Sequence, residues 1–197
     1  NGGSNGAELA ARGKSKSYSM ASILTHNFIF GENGTSYKNT VSTITAYQKE
    51  YLTKDGTLNK FMSMIDFNAK NTQFPNKRIT NSLQTMTWQA GYVNDIGVKN
   101  GSLNSIYGVT SKDNVSKLRG KRAAFIGIEE CGTFPKLEDM YNTMIPSVKD
   151  GDYWFGEIYV QGTAGDKDSD FEGAKKMMYN PKGYSLYAIP DVYDKVK

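Results

Sequence analysis

The segment RAAFIGIEE, residues 122–130, limits the possible folds more than any other part of this 197-residue chain. Ala124 to Ile128 show no polar alternation, so a strand here must be covered on both faces, as in a parallel sheet flanked by helices. It ends in two adjacent carboxylates, Glu129 and Glu130. Charged groups at the tip of a buried strand are costly unless they meet water or have chemistry to perform. Ligands of open α/β sheets bind outside the carboxyl ends of the strands, where this pair is expected to lie.

The rest of the sequence supplies partners for such a strand. NTVSTITAY (39–47), SLNSIYGVT (102–110) and FGEIYVQGT (155–163) are strand-like through their β-branched and aromatic content. Met20, Ile23, Leu24 and Phe28 share one helical face, and so do Leu58, Phe61, Met62 and Ile65. KLEDMYNTMIPS (136–147) reads as a further helix that stops near Pro146. Strands alternating with helices predict an α/β fold, a three-layer sandwich around a mainly parallel central sheet. No repeat or low-complexity linker interrupts residues 7–190, so 1–197 is expected to be a single domain. The start, NGGSNGAELAARG, lacks Met and the apolar core of a signal peptide, and reads as that of a fragment.

Composition narrows the chemistry. Hydrophobic residues make up 38% and aromatics 12%, enough for a packed core. A single cysteine, Cys131, excludes an internal disulfide framework and fits a reducing compartment, and with one histidine, His26, it argues against a zinc site. No run of eighteen apolar residues is present, so no membrane span is expected. With 24 basic against 20 acidic residues, the net charge of +4 suits contact with a polyanion without demanding it.

Gly13-Lys14-Ser15-Lys16-Ser17 precedes the first amphipathic run. A phosphate-binding loop needs a strand, a tight turn of inward N–H groups, a lysine for the β/γ-phosphates and a hydroxyl for Mg²⁺ at a helix N-terminus. Two registers fit. Lys14-Ser15 keeps a glycine before the lysine but leaves NGGSNGA as a poor strand, with Glu8 where the leading glycine belongs. Lys16-Ser17 gives Ala7–Ala11 as the strand and starts the helix on time, but puts Ser15 where a glycine is usual. The second is preferred. A plain basic turn ahead of an ordinary helix would read the same way from this stretch alone.

Beside such a loop the acidic pair acquires roles. Glu129 fits the Mg²⁺ side, its long arm favouring contact through water, and Glu130 fits the base that prepares the attacking water. Gln161, Gly162 and Thr163 end the next strand, where a polar residue would sit beside the γ-phosphate and report its presence. SKDNVSKLRGKR (111–122) carries Lys112, Lys117, Arg119, Lys121 and Arg122, a set open to DNA contact, to an arginine finger for a neighbouring subunit, or to plain solvation. FPNKRITNS (74–82) is similarly basic, and Trp88 and Trp154 read as packing residues.

Taken together, ARGKSKSYSMASI, LRGKRAAFIGIEECGTFP, IPSVKDGDYWFG and VQGTAGD resemble the ATPase domain of tailed-bacteriophage large terminase subunits, over most of residues 7–194. LRGKR ahead of the acidic strand is the most telling part. Arg12 matches an arginine that terminases often carry early in the loop, which favours the second register and implies a role at the γ-phosphate. The resemblance implies a P-loop NTPase of the RecA-like additional-strand branch, and the roughly 110 residues between Lys16 and Glu129 leave room for the extra strand. It further implies ATP hydrolysis with Mg²⁺, translocation of double-stranded DNA, a homo-oligomeric ring on the portal protein of a procapsid, a small terminase subunit as partner, and the cytoplasm of an infected bacterium as the place of action. FEGAKKMMYNPKGYSLYAIPDVYD looks like the end of that domain, so a nuclease is not expected within these residues. Ser15 and Glu129 depart from the usual glycine and aspartate. A helicase-like motor, or a catalytically degenerate assembly or DNA-binding module, are the competing expectations.

Overall fold

The computed structural model describes residues 5–11, 13, 15–31, 39–74, 76–111, 122–163 and 171–189. In chain order these form β1 (Gly6–Leu9), α1 (Lys16–Phe30), β2 (Val41–Ala46), α2 (Lys49–Thr53), α3 (Thr57–Asn71), β3 (Arg78–Ser82) and β4 (Thr87–Ala90). A small ribbon of β5 (Tyr92–Val93) and β6 (Lys99–Asn100) precedes β7 (Ser105–Thr110) and β8 (Phe125–Ile128). There follow α4 (Leu137–Met144), a second ribbon of β9 (Lys149–Asp150) and β10 (Tyr153–Trp154), β11 (Glu157–Gly162), α5 (Glu172–Tyr179) and β12 (Tyr187–Ile189).

The described strands of the main sheet run in the order β12-β1-β11-β8-β2-β7-β4-β3. From β12 to β7 every neighbouring pair is parallel, while β4 and β3 extend the far edge antiparallel. Side-chain alternation divides the core in two. On one face Ile44, Ala46 and Phe125 pack under α1, α2 and α3 with Met20, Leu24, Leu52, Leu58 and Phe61. On the other, Ala7, Ile126, Ile128, Ile158 and Val160 meet α4 and α5 through Leu137, Met140, Tyr141, Ala174 and Met177. That is the expected three-layer α/β sandwich with β8 covered on both sides.

The anticipated elements are present with trimmed ends. The run 39–47 forms β2, 102–110 forms β7, 122–128 forms β8 and 155–163 forms β11. Met20, Leu24 and Phe28 are buried on α1, and Leu58, Phe61 and Ile65 on α3. The helix expected over 136–147 ends at Met144, and Ile145–Ser147 with its Pro146 tightens into a 3-10 turn. Trp88 is fully buried, edge-on to Phe61 at 5.4 Å, so it packs rather than offering a stacking platform. Ala7–Ala11 yields a strand only over Gly6–Leu9, the carbonyls of Ala10 and Ala11 being taken by Lys16 Nζ.

The extra strand has an origin other than the one expected. β11 lies between β1 and β8, so the strand separating the loop from the acidic pair comes after that pair in the sequence. The long stretch between Lys16 and Glu129 instead builds β2, α2, α3 and the edge strands β3, β4 and β7.

Candidate functional site

Parallel strands bring their carboxyl ends to one side of the sheet, and their register fixes which residues meet there. Leu9 pairs with Gly162, so β1 and β11 end level, while Ile128 pairs with Val160, so β8 stops two residues earlier and Glu129 and Glu130 follow there. One residue on, Gln161 stands opposite Glu129. Backbone bonds continue the pairing past the strand ends: Ala10 N–H donates to Gly162 O at 3.2 Å, joining β1 to β11, and Glu129 N–H to Thr45 O at 2.8 Å, joining β8 to β2.

The loop after β1 ends where α1 begins, at Lys16. Gly13 and Ser15 both take left-handed backbone conformations, at φ 81° and φ 60°. Lys16, only 9% exposed, folds back so that Nζ donates to Ala10 O at 2.7 Å and Ala11 O at 2.9 Å. Ser17 follows half-buried in the first turn, which carries no acidic side chain to compete for an anion. Arg12 and Lys14 lie outside the described residues.

Ser15 takes the left-handed conformation that favours glycine, and its side chain makes no capping bond. Ser15→Gly is therefore expected to raise the unfolding free energy by about 0.5–1 kcal/mol. Urea denaturation checks this, and a loss of stability would mean that the hydroxyl holds the turn.

Glu129 is 3% exposed, and its Oε1 accepts a hydrogen bond from the Thr57 hydroxyl at the start of α3. Burial pushes its carboxyl above the usual carboxylate range; the Thr57 hydroxyl, the Gln161 amide and the Lys60 ammonium oppose that, while the charge of Glu130 adds to it. Gln161 is fully buried, and neither its Oε1 nor its Nε2 makes a hydrogen bond of ordinary geometry among the described residues. Lys60, one turn along α3, lies 5.2 Å from the ring centre of Tyr18 on α1. Glu130 is half-buried in a left-handed conformation, φ 52°, at the head of the 3-10 turn Cys131–Thr133, where its carbonyl accepts from Thr133 N–H and Oγ1, each at 3.0 Å. Cys131 beside it is buried, which pushes its thiol well up and keeps it inert.

Gly162 explains why these tips can sit so close. A Cβ there would lie 2.6 Å from Cys131 N and 3.1 Å from Glu130 C, so only glycine lets β11 pass behind the acidic turn. Gly162→Ala is expected to destabilise the protein by about 1–3 kcal/mol. Thermal unfolding measures this; an unchanged midpoint would show the turn yields freely.

The arrangement thus brings together Lys16, Ser17, Glu129, Glu130, Gln161, Gly162 and Thr163 at one end of the sheet. It leaves Arg122 away from them, at the opposite end of β8, where Nη2 pairs with Asp150 Oδ2 at 2.9 Å and the guanidinium covers Phe155 at 4.4 Å. Lys112, Lys117, Arg119 and Lys121 lie outside the described residues. The helix carrying Thr57 and Lys60 follows from the Leu58, Phe61, Met62, Ile65 periodicity, but nothing in the motif spacing brings these two residues to Glu129, 72 residues on from Thr57.

The same architecture occurs in solved structures. The large terminase of bacteriophage HK97 matches over 99% of this chain, with a TM-score of 0.58 and 17% identity. The large terminase of a thermophilic bacteriophage, in complex with ADP, matches over 95%, with a TM-score of 0.64 and 10% identity; a second crystal form of that protein gives 0.60. This chain has the fold of the matched part of phage large terminases. The chain spans 38% to 40% of the length of these proteins. No protein-family model matches the sequence, and no curated protein does. Among the described residues no helix is long and apolar enough to cross a membrane.

Proposed function

We propose that this chain is the ATPase motor domain of a large terminase, hydrolysing ATP to drive double-stranded DNA into a procapsid. The observation that carries the reading is the convergence of a buried lysine at a helix N-terminus with an acidic pair, across an intervening strand that brings the buried Gln161 amide beside Glu129. A lysine, a helix-start hydroxyl and a carboxyl at the strand tips are a donor set that fits Mg²⁺-ATP. The ADP held by the terminase of the thermophilic phage supports a nucleotide as ligand.

In this reading Lys16 holds the β/γ-phosphates, with the loop 12–15 around them, and Arg12 stabilises charge on the γ-phosphate. Ser17 and Glu129 hold the Mg²⁺, Glu129 through its water shell. When bound, the metal neutralises phosphate charge. Glu130 orients the attacking water and accepts its proton. Gln161, Gly162 and Thr163 couple the site to the rest of the domain. Lys117, Arg119, Lys121 and Arg122 are the residues for DNA contact or for a finger reaching a neighbouring subunit. The motor would assemble as a homo-oligomeric ring on the portal protein, with a small terminase subunit, in the cytoplasm of the infected host.

The test is Mg²⁺-dependent release of phosphate from ATP by the chain, with and without double-stranded DNA, alongside titration with a fluorescent ADP. Turnover abolished by chelator and stimulated by DNA is expected. Nucleotide binding without turnover would place the active assembly in the ring; neither binding nor turnover would leave a degenerate module.

A further inference from the structure

The reading of the nucleotide site leaves one buried contact unused. Thr57 is fully buried, and its hydroxyl is directed not at its own helix but at Glu129 Oε1 on another element. The capping position of a helix ordinarily supplies a hydroxyl or carboxylate for the first free N–H groups. Here that position is Gly56, which has no side chain, and the hydroxyl one residue on, Thr57, reaches out of the helix to the carboxyl.

One turn further along the same helix, Phe61 faces the same way as Thr57. Its ring lies edge-on to Trp88 of β4 at 5.4 Å and 87°, and to Phe28 of α1 at 5.6 Å and 83°. All three rings are buried, Trp88 and Phe61 fully. A close-packed interior passes a shift of one member to the next, because it has no slack in which to lose it. Thr57, Phe61 and Trp88 therefore form a physical connection from Glu129 to the antiparallel edge of the sheet.

We propose that Thr57 is a positioning residue: its hydroxyl orients Glu129 for the metal side of the site and ties α3, through Phe61, to whatever Glu129 holds. The inference rests on the nucleotide-site reading given above, and adds to it the residue that fixes the metal-side carboxyl and the helix that responds.

The test uses a Trp154→Phe background, which leaves Trp88 as the only tryptophan of the two in the chain. In that background Thr57→Val removes the hydroxyl at constant shape, and Thr57→Ser keeps it. Three readouts are taken on the whole chain: the Mg²⁺ concentration that gives half-maximal binding of fluorescent ADP, the emission of Trp88 when Mg²⁺-ADP is added, and the melting temperature. Removing a group that orients a metal ligand typically weakens metal affinity by 10–100-fold. Thr57→Val is expected to need ~10-fold more Mg²⁺ and to lose the Trp88 response, while Thr57→Ser stays within about twofold of the parent and keeps it.

A merely structural threonine would move only the melting temperature. Parental Mg²⁺ dependence together with a parental Trp88 response in Thr57→Val overturns the proposal. Should the valine variant fail to fold, Thr57→Ala carries the same readouts. A parent that binds Mg²⁺-ADP while Thr57→Val behaves identically refutes this inference alone; a parent that binds no nucleotide refutes the site reading and this inference with it.

Discussion

Glu130→Gln is expected to lower ATP turnover by about two to four orders of magnitude, while nucleotide binding stays within a few-fold of the parent. Glu130 sits just past the end of β8, half-buried, with its backbone fixed by the Thr133 bonds in front and by Gly162 behind. A non-glycine residue persists at φ 52° only where its surroundings over-determine it, and such positions recur at working sites. Glutamine keeps the shape and the polarity but cannot accept a proton. The substitution therefore separates placing a water from activating it. Glu129 sits differently: it is buried, its Oε1 accepts from the Thr57 hydroxyl, and burial pushes its carboxyl above the usual carboxylate range. Phosphate release under steady-state conditions, together with ADP titration, checks the prediction. Parental turnover in Glu130→Gln would remove the base role from this residue.

Much of this arrangement is legible in the sequence because it is local. The apolar run ending in Glu129-Glu130 announces a doubly covered strand, and the Lys16-Ser17 register announces a helix start; both follow from a few neighbouring residues. What lies beyond the sequence is non-local or short. β12 is three residues long, too brief for a period to register, and α5 carries only Ala174 and Met177 into the core. The β3–β4 hairpin is read poorly because RITNS is polar and part-exposed, and its pairing gains sense only beside β7. The strand between loop and acidic pair is expected from the insertion before Glu129, yet β11 comes after it, because sheet order is set by which faces must be covered and not by sequence order. Thr57 is the sharpest case. Its tie to Glu129 spans 72 residues, and a threonine opening a helix looks like any other.

Lys16→Ala is expected to weaken ATP and ADP binding by about 2–5 kcal/mol, the cost of truncating a buried charged partner, which is about 30-fold to several-thousand-fold in affinity. Lys14→Ala is expected to stay within a few-fold of the parent. The asymmetry follows from where α1 begins. Lys16 is its first residue, and its ammonium is already desolvated and aimed back over the end of β1 at the Ala10 and Ala11 carbonyls. Phosphate oxygens would replace two neutral acceptors with charged ones, and charge-assisted bonds of that kind are roughly twice as strong. Ser17 then stands next in the first turn for the metal, whereas the other register would give that duty to Ser15, the residue in the left-handed conformation ahead of the helix. Fluorescent ADP titration of the two variants side by side decides between them. Loss confined to Lys14→Ala would move the phosphate to the earlier register and make the fold-back of Lys16 a structural bond. Loss in neither would take the phosphates off this loop altogether, and with them the case for a motor.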